Sequence, residues 1–197
     1  MSTLERIINA DYWLFFKING TWTNGFLDAV FPFLRESVLW VPLYLFLLIF
    51  IWVNFGVPGL YWAVVFICTA SLCDIISSHV IKESIMRLRP CRTPGIVGDV
   101  RFLVKYCPMG SGFVSSHATS HFGMAVFVYA TLQKFISGWA GLFFAWAAMI
   151  SYAQVYVGVH FPLDVVCGAL VGCLIGTVMS RLFNRYILLN LPVKARI

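Results

Sequence analysis

Between Glu36 and Asp74 the chain carries no charged residue. In hydrocarbon every backbone N–H and C=O must be satisfied within its own segment, so such a run folds as helix. About 20 apolar residues cross the bilayer core. The sequence Asn54 to Gly59 (NFGVPG) carries turn chemistry and divides the run into spans near 37–53 and 58–81. Three more apolar runs follow, near 118–133, 138–157 and 163–182. Composition closes the alternative of a buried soluble core. Hydrophobic residues make up 60% and charged residues 11%, against about 45–50% and about 25% in soluble domains. The fold expected is all-α: a polytopic membrane bundle of about five spans.

The first 36 residues read differently. Ile7, Ile8, Trp13, Phe15 and Phe16 mix with Glu5, Arg6, Asp11 and Lys17. This predicts an amphipathic segment in the headgroup region, anchored by Trp13 and Trp22. A sixth, poorer span within 8–34 stays open. The organisation expected is an N-terminal interfacial segment (1–36), a membrane domain (37–182) and a C-terminal tail (183–197). No short apolar core followed by a small-residue cleavage site suggests a signal peptide. Gly168, Gly172 and Gly176 share one helix face, which predicts close helix packing inside the bundle in preference to dimerisation. The net charge of +6 suits an acidic lipid surface or an anionic substrate and makes no case for nucleic acid. Oligomeric state is not readable.

With five spans, the connections 82–117 and 158–163 fall on the same membrane face. Three constellations lie there. The first is Lys82 and Arg89, followed by Pro90. On a helix, residues seven apart point nearly the same way, so the pair would close on one anion, the helix ending at Arg89 because Pro90 disfavours helix there. Arg offers a planar fork to phosphate and Lys a point charge. The plain alternative is a pair of snorkelling cations. Glu83 and Arg87, four apart, read as a helix-surface ion pair.

The second is Ser115-Ser116-His117 at the start of the third span. Unpaired N–H groups at a helix start form an anion site, and a His there can pass a proton to a leaving group. The alternative is Ser115 as an N-cap and His117 as an interfacial residue. His121, one turn on, reads as a packed His. The third is Gln154 with His160 and Asp164, with Pro162 suited to the first helical position. A carboxylate on one imidazole nitrogen frees the other as base or nucleophile; a simple buried His–Asp pair is the alternative. Asp74, followed by Ser77, Ser78 and His79, reads as a structural hydrogen-bonding group. Together these residues suit an oxyanion that changes charge during reaction, and phosphoryl transfer is the economical choice.

The order and spacing resemble the type 2 phosphatidic acid phosphatase superfamily, whose motifs read in outline K-x6-R-P, P-S-G-H and S-R-x5-H-x3-D. The first is complete here as Lys82, Arg89 and Pro90. The second keeps Ser115 and His117 but departs at Pro and Gly. The third keeps His160 and Asp164 but has Ala153 and Gln154 for Ser and Arg. The resemblance covers roughly 37–182.

It implies a lipid mono- or diphosphate phosphatase, independent of metal or other cofactor. His160 would become a phosphohistidine, Asp164 would orient it, and His117 would protonate the leaving group. Lys82, Arg89 and Ser115, with the backbone at Ser116, would hold the phosphate. Gln154 donates only from a neutral amide. The expectation is that it still hydrogen-bonds the phosphate while Arg87, Arg92 or Arg101 makes up part of the charge. Substrates in view are undecaprenyl diphosphate, phosphatidylglycerol phosphate, phosphatidic acid and the lipid A phosphates. A lipid phosphotransferase, or a non-enzymatic phospholipid-binding protein with a degenerate site, would carry the same residues.

The resemblance also implies a bacterial inner-membrane protein with its site facing the periplasm. In an oxidising compartment Cys91 and Cys107, bracketing the active-side loop, could form a disulfide. The positive-inside rule argues the other way. Of the 14 Lys and Arg, only Lys134, Arg181, Arg185, Lys194 and Arg196 fall on the opposite side. Cations held for chemistry bias that count.

Overall fold

The computed structural model describes residues 2–187 and 189. Its principal helices are α1 (Thr3–Phe16), α2 (Gly25–Leu34), α3 (Val41–Ile75), α4 (Ser116–Ile136), α5 (Leu142–Tyr156) and α6 (Pro162–Tyr186). No strand occurs among the described residues. Three helical stretches are long and apolar enough to cross a membrane: Ser37–Ser84, Ser116–Tyr156 and Pro162–Tyr186.

Two of these stretches fold back on themselves. Gly56, at φ 58° and ψ −130°, breaks α3, in a backbone region that L side chains rarely adopt. Beyond it the two arms run antiparallel. Trp52 and Leu48 share a cleft with Leu60, Ala63 and Ile67, and Gly59 lies directly against Ile51. A second reversal at Ser137–Gly141 separates α4 from α5. The result is five apolar arms, as the NFGVPG turn and the spacing of the apolar runs predict. α2 has 10 residues, about 15 Å of helix, half of what a bilayer core needs.

α4 is the central helix. It packs α6 most closely, then α5 and α3. Gly168, Gly172 and Gly176 all face α4, and a Cβ at any of them would meet the backbone of Ser115, Thr119 or Gly123. The opposite face of α6 shows Leu170, Leu174, Val178 and Leu182, all exposed, a period-four apolar stripe suited to lipid. The glycine run therefore serves packing within the bundle.

Two buried clusters divide the molecule. Ile51, Phe55, Trp62, Phe66, Phe127, Leu132, Ile150 and Phe183 fill the mid-bundle, where Trp62 Nε1 donates to Thr131 Oγ1 at 2.7 Å. Phe15, Ile18, Phe31, Tyr156, Val159 and Phe161 form the second, at the active-side end. The N-terminal segment, expected as an interfacial one, packs into the molecule. Trp13 and Trp22 are exposed, but Phe15 is fully buried and packs on Phe161 with ring centroids 5.2 Å apart. α6 runs to Tyr186, into the segment expected as tail; the rest of that segment, 188 and 190–197, lies outside the described residues.

Candidate active site

The helical rod that continues α3 ends at Ser84. Ile85 is extended, at φ −123° and ψ 96°. Lys82 and Arg89 therefore do not share a helix face, which corrects the seven-residue helical argument. An irregular strap brings Arg89 to the site instead. Ser111 Oγ donates to the Ile85 carbonyl at 2.5 Å and Gly112 N donates to the Arg87 carbonyl at 2.7 Å. Arg89 itself is extended (φ −75°, ψ 155°), as a residue before proline prefers. The expected Glu83–Arg87 pair does not form, because no helix connects them. Glu83 pairs with His79 at 3.5 Å on the surface. Asp74 makes a structural hydrogen bond, accepting from Ser78 Oγ at 3.2 Å, but on the exposed surface of the helix and not inside the bundle.

After α5 the chain turns at Gly158, whose φ of 86° needs glycine and whose missing Cβ admits Val100 and Arg101. The carbonyl of Gln154 accepts from Val159 N at 3.2 Å and His160 N at 3.3 Å. This fixes the backbone of His160 against the end of α5. The His160 ring is 3% exposed, with one hydrogen-bond partner, at Nε2, and a carboxylate just beyond hydrogen-bonding geometry at Nδ1. Its Nδ1 stands 3.5 Å from Asp164 Oδ2 and its Nε2 lies 3.0 Å from Arg89 Nη1. A guanidinium can only donate. Nε2 is therefore the acceptor, and the ring proton sits on Nδ1, toward the carboxylate. Burial holds the His160 imidazole down at about 4, with Asp164 opposing and the cations Arg89 and Lys82 adding to the fall. A neutral imidazole with Nε2 unprotonated is the state a nucleophile needs.

Asp164 is fully buried and does three things. Its Oδ2 also accepts the Phe161 N–H at 2.9 Å, closing the start of α6, where Pro162 opens the helix. Its Oδ1 accepts from Arg87 Nη1 at 2.6 Å. Arg87 in turn reaches Asp11 of α1 and lies over the Phe161 ring at 4.3 Å. Asp11 Oδ1 accepts from Leu163 N at 2.7 Å, satisfying an orphan donor of α6. Asp11, read from sequence as one charge of an amphipathic segment, is thus a buried support of the site.

On α4, Ser115 is the N-cap, accepting from Ala118 N at 3.4 Å. Ser116 Oγ accepts from Lys82 Nζ at 2.5 Å and lies 2.9 Å from Ser78 Oγ. His117, half-buried, stacks parallel to His121 at 6.2 Å and lies within electrostatic reach of His160, Lys82 and Arg35. His121 is a packed residue. Its Nδ1 donates to the His117 carbonyl at 2.7 Å and Trp146 meets its ring edge-on at 4.7 Å.

The guanidiniums expected to compensate for Gln154 are engaged elsewhere. Arg87 holds the two aspartates, Arg92 donates to the Cys107 carbonyl at 3.1 Å, and Arg101 pairs with Asp28 at 2.6 Å. Each donates to an acceptor that the fold sets against it: Asp11 and Asp164 for Arg87, the Cys107 carbonyl for Arg92 and Asp28 for Arg101. The cation at Gln154 is Arg35, from the end of α2, whose Nε donates to Gln154 Oε1 at 3.2 Å. The only sequence signal for it was its place at the border of the uncharged stretch. Cys91 and Cys107 are joined in a disulfide across 16 residues of the active-side loop.

The PAP2 superfamily profile matches residues 60–187. A lipid A 4'-phosphatase of Bacteroides thetaiotaomicron is 30% identical over 172 residues, 86% of this chain and 75% of the relative. An undecaprenyl-diphosphatase of Sulfolobus acidocaldarius is 31% identical over 149 residues, 76% of this chain and 65% of that protein. The crystal structure of Aquifex aeolicus LpxE superposes with a TM-score of 0.65 at 26% identity, covering 86% of this chain and 94% of LpxE. With the histidine pair, the aspartate and the Lys–Arg motif gathered at one end of a five-armed bundle, the chain belongs to the PAP2 superfamily.

Proposed function

We propose that this integral-membrane protein hydrolyses a lipid mono- or diphosphate through a phosphohistidine on His160, without a metal ion. One observation carries the reading: the Nε2 lone pair of His160 points at Arg89 from 3.0 Å while Asp164 stands behind the other ring nitrogen. Arg89 would hold the phosphate where that lone pair can attack. Lys82, Ser115 and the backbone N–H of Ser116 complete the phosphate shell, and these cations supply the positive charge that a metal brings elsewhere.

In the first step His160 Nε2 attacks phosphorus. The bond from phosphorus to the leaving oxygen breaks, and protonated His117 gives that oxygen its proton. Asp164 balances the charge gained on the ring. In the second step water attacks the phosphohistidine and passes its proton to His117. The P–N bond breaks, inorganic phosphate leaves, and the electron pair returns to Nε2.

A lipid substrate fits the surroundings. An apolar cavity of about 490 Å³ runs between α3, α4 and α5, lined by Trp40, Leu47, Leu132, Phe143 and Trp146. Trp146 also touches His121, one helical turn from His117, so an acyl or prenyl chain can lie beside a headgroup at the histidines. The disulfide of the active-side loop supports a periplasmic or external site.

The test is phosphate release with EDTA present from lipid A, undecaprenyl diphosphate, phosphatidylglycerol phosphate and phosphatidic acid. Lipid A comes first because of the Bacteroides relative. His160→Ala is expected to lower turnover by at least about 10⁴-fold. Equal rates in both proteins would end the phosphatase reading, and loss of wild-type activity in EDTA would end the metal-free mechanism.

A further inference from the structure

Gln154 is completely buried, yet its Nε2 has no hydrogen-bond partner among the described residues. Its Oε1 is committed to Arg35. A buried amide that gives its oxygen to a guanidinium and leaves its own donor empty is costly as mere packing, because an apolar side chain of that size would avoid the desolvation. Arg89 Nε is likewise buried and unpartnered. Arg89 Nη1 meets the Val159 carbonyl and His160 Nε2, the same two residues whose N–H groups the Gln154 carbonyl receives, so two unsatisfied donors flank one turn and call for an acceptor-rich ligand.

Arg35 belongs to the same cluster. Its side chain is 12% exposed, and its salt-bridge partner Glu36 is 58% exposed. The bonds to Gln154 and Glu36 use two of its five N–H donors. Its position is tied to the nucleophile, because the backbone carbonyl of Gln154 also receives the His160 N–H. Burial lowers the pKa of Arg35, and its charge in turn helps to lower that of Arg89. Guanidiniums crowded this way are stable when an anion completes the set.

We infer that Arg35, steered by the Oε1 of Gln154, is a phosphate-binding residue that shares the phosphoryl oxygens with Arg89. The inference rests on the phosphatase reading above and deepens it. Gln154 acts as a positioning residue: it aims the fork of Arg35 and offers its own Nε2 to the same oxyanion. The guanidinium serving the amide's side of the site thus comes from α2, 119 residues away in sequence.

The test uses full-length protein in lipid nanodiscs, with two readouts: kcat/KM on the four lipids above, and the Kd of inorganic phosphate by calorimetry. Arg35→Ala is expected to lower kcat/KM about 100-fold and to weaken phosphate about tenfold. Arg35→Gln, which keeps a donor for Gln154 without the charge, should behave alike if the alanine variant fails to fold. Gln154→Arg alone crowds a further guanidinium beside Arg35 and should also lose activity. Joined to Arg35→Ala, it should recover at least about tenfold over Arg35→Ala, because the charge is restored from the other side. Folded Arg35 variants with wild-type kcat/KM and Kd overturn the proposal. So does a loss of activity that leaves phosphate affinity unchanged and that the double variant does not recover. An active His160→Ala would sink the phosphatase reading instead, and the phosphate Kd would still judge Arg35.

Discussion

The seam between α4 and α6 and the polar plate at the active-side end are built on opposite principles. The seam is made of absences. Gly168, Gly172 and Gly176 let one backbone lie on another, and its partners sit at a fixed helical repeat. The plate is made of charges from remote parts of the chain: Asp11 from α1, Arg35 from α2, Arg87 and Arg89 from the strap, and His160 and Asp164 from the turn into α6. The seam holds the histidines of α4 beside the start of α6. In the proposed reaction the plate sets their chemistry. Either can be damaged while leaving the other legible, and this makes the difference measurable.

The largest effect expected is at the plate. Arg87→Ala leaves Asp11 and Asp164, both buried, without their shared guanidinium. Removing one partner of a buried ion pair costs about 3–5 kcal/mol. Thermal unfolding should show that loss, and kcat should fall with it because Asp164 no longer holds its place behind His160. A variant with wild-type turnover would show that Asp164 needs no such support.

Gly172→Val comes next. It places a branched side chain where even a Cβ would overlap the Thr119 carbonyl oxygen and should cost about 3 kcal/mol or more by overpacking. Its molecules that stay folded should keep the phosphate affinity of the wild type. A selective loss of phosphate binding without loss of stability would mean that the seam and the plate are not separable.

The disulfide closes a loop of 16 residues, for which chain entropy suggests about 3 kcal/mol. Cys91→Ser with Cys107→Ser should lower the thermal midpoint by several degrees while kcat falls less than tenfold. Free thiols at both positions in protein purified without reductant would remove the support for an oxidising compartment.

The smallest effect is a pH dependence. Because burial holds His160 at about 4 in the folded protein, below its unfolded value of about 6.5, the unfolded chain binds more protons between those values. Stability should therefore fall as pH drops through that window. His160→Ala should flatten this fall in thermal midpoints recorded from pH 7.5 to 4. Parallel curves for the two proteins would assign the acid sensitivity to other groups.

The sequence declares its structure wherever one short segment carries the information. The uncharged run after Glu36, the NFGVPG turn, the glycine repeat and the residue before Pro90 each declare their conformation, because backbone sterics and hydrocarbon solvation act within a few residues. Local rules do not reach across the end of a helix. The seven-residue spacing puts Lys82 and Arg89 on one helix face, yet the helix stops at Ser84, and Ser111 and Gly112 hold the strap that follows. The pairing of Glu83 with Arg87 failed for the same reason.

By itself, then, the sequence determined an all-helical membrane bundle, its reversal points, and the family motifs that place Lys82, Arg89, His117, His160 and Asp164 toward one face. Only the tertiary structure decided which guanidinium each carboxylate and amide receives. Arg87 goes to Asp11 and Asp164, and Arg35 goes to Gln154. The physical reason is range: helix and turn formation are local, whereas a charge pairs with whatever acceptor the folded chain brings nearest, from any distance along the sequence.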